Sequence, residues 1–177
     1  MKRQIRSGVF ETNSSSTHSV SISNKNSNYY NEDCLKNYIE WDNKVHVKFG
    51  EFGWEIEHYA YPYSKLQYVV TMLVETEGRN VSTVDELFET EGFKLINDAV
   101  ADYCNCDGIW IDSEMKMDSY EWYGKIETYI SHEDGYIDHQ SCEDYDSVQD
   151  FLNDYGVDIT KFIFDDGVCV ITDNDNH

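Results

Sequence analysis

The stretch Ser16-Thr17-His18-Ser19-Val20-Ser21-Ile22-Ser23 alternates at period two. His18, Val20 and Ile22 fall on one face and Thr17, Ser19, Ser21 and Ser23 on the other, the pattern of a half-buried strand. His18 is therefore expected to point inward. It brings a titratable, metal-capable side chain to the core side of a strand that follows the hydroxyl-rich run Glu11-Thr12-Asn13-Ser14-Ser15. The other histidines and the cysteines are weighed against it.

A chain of 177 residues suits one domain, residues 1–177, that buries about 70% of the surface exposed by its unfolded form. Aromatics make up 15% of it, with 14 Tyr and 4 Trp. A folded core is expected, built with large rings whose polar ends reach partners or water. Five cysteines cannot all pair within one chain, and Lys2, Arg3 and Arg6 lead into a polar stretch instead of a signal-peptide core. The expected setting is a reducing cytoplasm. No apolar run reaches the roughly 20 residues that span a bilayer, so no membrane partner is expected.

The formal charge of −22 is regional: residues 1–84 hold 10 acidic and 9 basic side chains, whereas residues 85–177 hold 25 and 4. Such a field repels nucleic acid and lipid headgroups and speeds encounter with basic surfaces, including those that hold DNA or RNA. Simple solubility is the alternative reading of the same charge.

Further along, Glu32 to Glu40 reads as a short helix, with Cys34 as a small packed hydrophobe. Val45, Val47 and Phe49 alternate with His46 and Lys48, which leaves His46 on the solvent side of a second strand. Gly50-Glu51-Phe52-Gly53-Trp54 reads as a tight connection presenting Glu51 at a strand end. Ser64-x-x-Gln67 matches a capping box ahead of the stripe Leu66, Val69, Val70 and Leu73. Thr83-x-x-Glu86 opens a second helical stretch to about residue 104, with a break near Gly92. Gly108 to Asp112 and Tyr123 to Ser131 read as strands, and Asp134-Gly135 as a two-residue hairpin turn into Tyr136 to Ser141. Asp146 or Ser147 caps a helix that stops at Gly156, and a helical turn and a strand from Val168 to Thr172 follow. The expected fold is a single α+β domain, an antiparallel or mixed sheet with three to four helices.

Counting outward from Asp134-Gly135 makes His132 and His139 diagonal neighbours on one hairpin face. Cys104-x-Cys106, at a helix end that Asp107-Gly108 can unwind, offers two thiolates to a tetrahedral zinc or, equally, two buried free thiols. The candidate zinc ligands are His18, Cys104, Cys106 and His139. His132 is a reserve, with Glu51, Asp138 and Asp173 as oxygen donors. The zinc would tie the first strand to the late hairpin and the helix end. A hydrolytic site built on Ser16, His18, Glu51 or Asp138 is also open, although no HExxH, GxSxG, P-loop or dinucleotide pattern is present.

Four stretches carry a resemblance: Arg6-Ser7-Gly8-Val9-Phe10-Glu11-Thr12-Asn13-Ser14-Ser15-Ser16-Thr17-His18-Ser19, Gly50-Glu51-Phe52-Gly53-Trp54, Gly135-Tyr136-Ile137-Asp138-His139-Gln140-Ser141 and Ile171-Thr172-Asp173-Asn174-Asp175-Asn176. Together they resemble a family of small proteins encoded by phages and mobile elements of Gram-positive bacteria. The whole also looks like the zinc-containing streptococcal anti-CRISPR inhibitors of Cas9. That resemblance implies a cytoplasmic protein of the bacterial host that binds the recognition lobe of the nuclease and blocks target-DNA loading. It adds weight to His18 and His139, which lie inside the motifs, and none to Cys104 or Cys106. The expected partner is Cas9 or another basic nucleic-acid-binding protein, without direct nucleic-acid contact. A metal-dependent, hydrolase-like enzyme and an acidic phage regulatory protein without metal are the alternatives.

Overall fold

The computed structural model describes residues 2–5, 16–23, 28–53, 55–137, 142 and 145–174. Strand β1 (Lys2–Ile5) pairs antiparallel with β2 (Ser16–Ser23), the strand expected from the alternation. After a 3₁₀ helix, Glu32–Tyr38, come β3 (Val45–Val47), β4 (Glu51–Phe52) and β5 (Glu57–Tyr59). Helix α1 (Pro62–Thr76) runs into a 3₁₀ turn, Glu77–Asn80, followed by α2 (Val84–Phe88) and α3 (Glu91–Cys104). Next are β6 (Ile109–Ile111), β7 (Met115–Trp122), β8 (Lys125–His132) and β9 (Tyr136–Ile137). Helices α4 (Val148–Tyr155) and α5 (Ile159–Phe164) and strand β10 (Val168–Asn174) complete an α+β domain.

The main sheet has the order β1-β2-β10-β5, all antiparallel, so the first long strand lies beside the last. Val20 faces Val170 and His18 faces Thr172 across that ladder. β2 lies between β1 and β10, and at its middle Ser19 and Val20, on opposite faces, are both buried. Two short parallel pairs, β3–β6 and β4–β9, make the strand arrangement mixed.

α1 is the centre of the core. Its residues from Leu66 to Val74 are buried except Gln67, a nearly all-round burial that marks an interior helix instead of a surface one. It packs on α3, α4, α5 and β9. Tyr68 meets Phe52 edge-on at 4.9 Å between centroids, with Phe151 at 5.8 Å, Phe162 at 6.4 Å and the His18 ring at 5.9 Å. Such ring contacts add to area burial because quadrupoles favour tilted geometry.

Several local signals hold. Thr83 and Ser147 accept the amides of Glu86 and Asp150, and Gly156 closes α4 in the left-handed region at φ 65°. Others yield to packing. Helix α1 begins at Pro62, whose fixed φ suits the first position, so Ser64 lies inside the helix and caps nothing. The break in the second helical stretch falls at Glu89-Thr90, where Thr90 starts α3 as a fresh N-cap. Among the described residues no helix is long and apolar enough to cross a membrane.

The hairpin also lies elsewhere than its sequence signal suggests. β7 and β8 pair antiparallel around Tyr123-Gly124, both at positive φ (49° and 75°), the backbone of a two-residue primed turn. Asp134-Gly135 instead turns the chain toward β4, and Tyr136 donates its amide to the Gly50 carbonyl. Gly135 is needed there for closeness: a Cβ would stand 2.2 Å from Phe49 Cβ. Among the described residues β8 pairs with β7 and β9 with β4, not with each other, and His139, the expected diagonal neighbour of His132, lies outside the described residues.

Candidate functional site

Among the described residues, the predicted ligands His18, Cys104 and Cys106 do not gather into one metal-capable set. His18 Nε2 lies 3.0 Å from the Gly53 carbonyl and Nδ1 3.3 Å from the Tyr68 hydroxyl. A carbonyl can only accept, so Nε2 carries the proton and Nδ1 accepts from Tyr68. Burial pushes the Tyr68 phenol well up and keeps it a donor. Cys104 is hydrogen-bonded to Cys34, a bond that lowers the Cys34 thiol while that bond and burial raise Cys104. Helix α3 does unwind past Cys104, at Asn105 with φ 50°. Cys106 then turns its sulfur to the carbonyls of Val100 and Gly108, at 3.8 and 3.6 Å. His139 and Asp138 lie outside the described residues.

Metal-capable groups converge elsewhere. Among the described residues, one set of three or more such side chains brings its donor atoms within 4.8 Å of one another: Glu40, His46 and Asp112. The turn before β3 builds half of it. Asn43, at φ 59°, lets the chain double back, and Glu40 donates its amide to the Lys44 carbonyl across the turn. β3 then points Val45 and Val47 into the core, which throws His46 outward. Parallel pairing sets His46 opposite Trp110, and the Asp112 amide bonds the Val47 carbonyl, delivering Asp112 from 66 residues away.

His46 is thus far from solvated, with 12% of its side chain exposed. Its Nε2 is 3.0 Å from Asp42 Oδ1, and its Nδ1 is 3.0 Å from both Asp112 oxygens and 3.8 Å from Glu40 Oε1. Burial opposes charge on the ring, but the hydrogen bonds to Asp42 and Asp112 outweigh it and raise the imidazole above its usual range. Sequence reading missed the site because alternation says which side His46 takes and not what meets it there. The Asp42-x-x-x-His46 spacing was the one local hint.

His132 is engaged differently. Nδ1 is 2.7 Å from the Asp134 carbonyl and Nε2 3.0 Å from Glu75 Oε1, with the Phe49 ring 4.8 Å away. Both partners are acceptors, so the ring donates twice as imidazolium and clips β8 to α1. The Glu75 hydrogen bond raises His132 above its usual range. Burial alone would raise Glu75, yet His132 and Arg79 together hold it lower. The His132 contribution is full below about pH 6.5 and is lost as pH climbs through the raised folded value. The Glu75 contribution is present above about pH 4.3 and is lost as pH falls through the lowered one. His132→Gln is expected to lose about 1 kcal/mol of stability near pH 5.5 and measurably less at pH 8.5, read from urea unfolding at the two pH values.

A cleft of about 560 Å³ opens between β4, β5 and β9. Glu51, Glu55 and Glu57 line it together with Tyr59 and Tyr136, over buried Thr172. Thr172 donates to the Glu55 carbonyl and Tyr59 to the Glu57 carboxylate, which anchors the floor and one wall. Burial and the carboxylates beside it push the Tyr59 phenol far up, so it stays a donor. Among the described residues, none of the three carboxylates has an ion-pair partner within 4.0 Å. The lining suits a cation: carboxylates supply charge and tyrosine faces supply cation–π contact. Glu51 stands at a strand end, as its glycine-flanked segment suggested.

Fold and sites together define a small acidic α+β protein with a metal-capable triad and a carboxylate-lined cleft. No known protein family, curated protein or solved structure matches the chain.

Proposed function

We propose that this protein is an inhibitor that binds a basic, nucleic-acid-handling bacterial nuclease, with Cas9 the target implied by the resemblance and blocked target-DNA loading the consequence. The observation that carries the reading is the cleft, lined by the carboxylates of Glu51, Glu55 and Glu57, which have no ion-pair partner among the described residues. A guide–target heteroduplex lies in a channel rich in Lys and Arg. Side chains of that kind match the cleft in charge, and the wider field of −22 accelerates their approach. In this reading zinc is structural, and the protein performs no reaction.

DNA cleavage by a Cas9–guide complex, with the protein added before or after target DNA, tests the partner. Inhibition is expected only on prior addition, with binding weaker at about 300 mM than at about 50 mM salt. The triple variant Glu51→Gln/Glu55→Gln/Glu57→Gln is expected to bind at least about 10-fold more weakly, because it loses the charge facing the partner. Asp85→Asn/Glu89→Gln/Glu91→Gln changes net charge equally at exposed positions around α2 and should bind almost as wild type. Equal losses in both would remove the cleft from the reading, and no inhibition at all would remove the partner.

A metal-dependent hydrolase is the second reading, favoured by the solvent-facing carboxylates of Glu40 and Asp112, 51% and 30% exposed. Turnover abolished by chelation while the fold persists would support it.

A further inference from the structure

We infer that Glu40, His46 and Asp112 bind one divalent ion through His46 Nδ1 and an oxygen of each carboxylate, with Asp42 as the positioning residue that holds the ring by its Nε2–H. Zinc is the ion that the donor set and the proposed function favour, and the inference rests on that function only for this choice. Whether an ion binds does not depend on any partner.

The tautomer comes first. Asp42 Oδ1, 3.0 Å from Nε2, is an acceptor and fixes the proton on that nitrogen. The Asp112 oxygens stand 3.0 Å from Nδ1 on the other side, so without metal the ring donates from both nitrogens, as His132 does. A divalent ion takes the place of the Nδ1 proton, which leaves to solvent, and the carboxylate that accepted that proton becomes a ligand. A carboxylate on one imidazole nitrogen and a metal on the other is a recurring arrangement, because the outer acid orients the ring and raises its basicity.

Spacing agrees. Bonds of about 2.0–2.1 Å at octahedral to tetrahedral angles put donor atoms about 2.8–3.4 Å apart. Asp112 is already at that distance from Nδ1, and Glu40, at 3.8 Å, needs a shift of a few tenths of an ångström. Glu40 is the most exposed of the three and the freest to move. The three ligands come from backbone that other interactions already hold: the Asn43 turn, β3, and the residue after β6. The ion would clip that turn to the parallel pair.

Donor chemistry narrows the ion. One imidazole with two carboxylates suits borderline divalent metals such as zinc or manganese. The all-oxygen shells of calcium and the thiolate shells of soft metals do not fit. Three protein ligands leave room for water or an outside donor, as in open sites. None of these ligands is a cysteine, which separates this site from one built on Cys104 and Cys106.

The test uses the full chain, purified without a metal-affinity step, stripped with chelator and titrated with zinc chloride by calorimetry. One zinc per chain is expected, with a rise in Tm. His46→Gln should abolish the heat and the Tm rise, and Glu40→Gln/Asp112→Asn should do the same if the histidine variant folds poorly. Asp42→Asn should keep the stoichiometry and weaken binding about 10–100-fold. Cys104→Ser/Cys106→Ser should titrate as wild type. The inference is overturned by the absence of saturable zinc binding, or by binding that survives in His46→Gln and disappears in the cysteine double variant. Nuclease inhibition is not a readout here, so failure of the partner reading leaves this result untouched.

Discussion

Glu77→Ala is expected to destabilise the fold by about 3 kcal/mol, because one buried carboxylate serves the N-termini of two helices. Its Oε2 accepts the Gly92 amide of α3 at 3.0 Å and its Oε1 the Val148 amide of α4 at 3.2 Å. Removing it strands two amides in an interior site and takes away a negative charge that both helix dipoles favour. Gly92 belongs to the same device. A Cβ there would stand 2.0 Å from Glu77 Oε1, so Gly92→Ala must displace the carboxylate and should itself cost about 1–2 kcal/mol through the lost hydrogen bonds. In a Glu77→Ala background the clash is gone. Gly92→Ala should then turn neutral or stabilising by up to about 1 kcal/mol, since alanine is the better helix former. Urea unfolding of the four proteins in a double-mutant cycle measures this. Additive losses would show that Gly92 is required for some other reason.

The second large effect concerns Lys65, which is fully buried on α1. Its Nζ donates to the carbonyls of Asp165 at 2.7 Å and Val168 at 3.1 Å, tying the central helix to the start of β10. Burial lowers it to about 8, against weaker opposing pulls from Asp165, Cys169, Asp166 and Cys34. Below that value the ammonium is costly to bury. Above it the amine is neutral and still has two protons for two carbonyls.

Here the linkage sign is the reverse of that for His132. Between about pH 8 and pH 10.4 the unfolded chain binds more protons at this group than the folded one, so stability rises with pH by up to about 3 kcal/mol. Lys65→Met lacks the titration and takes a donor from both carbonyls, of which that of Asp165 keeps the Val168 amide. The stability difference between wild type and Lys65→Met is therefore expected to widen in favour of wild type across that window, by chemical denaturation at pH 7.5 and pH 10. A flat difference would mean that the lysine is not desolvated. Taking the difference cancels the tyrosines and cysteines that titrate over the same range in both proteins.

Features carried by a few neighbouring residues were legible before any coordinates. Alternation over Ser16–Ser23 placed His18 on the core side, where it meets Tyr68. Thr83, Ser147 and Gly156 marked helix ends because capping satisfies backbone groups within three or four residues. The stripe Leu66, Val69, Val70 and Leu73 announced α1, though not that nearly every side of it is covered. Asp134-Gly135 misled for a physical reason: a positive φ is needed both by a hairpin turn and by a chain passing close to Phe49, and composition cannot tell them apart. The turn that does make a hairpin, Tyr123-Gly124, puts a tyrosine where asparagine or aspartate is the usual signal.

By itself, the sequence determined that the chain is acidic and α+β, where the helices capped by Thr83 and Ser147 and the first long strand run, and that Val45 and Val47 face the core. These depend on interactions spanning a turn or two of backbone, which periodicity and capping residues report directly. Only the tertiary structure decided that His46 meets Asp112 across 66 residues, that Glu77 holds Val148 across 71, and that Glu51 shares a cleft with Tyr136. Each of these contacts is set by the pairing of strands two or three residues long, or by packing around α1. Pairing of such short strands gains too little locally to specify its own register, which the surrounding core imposes.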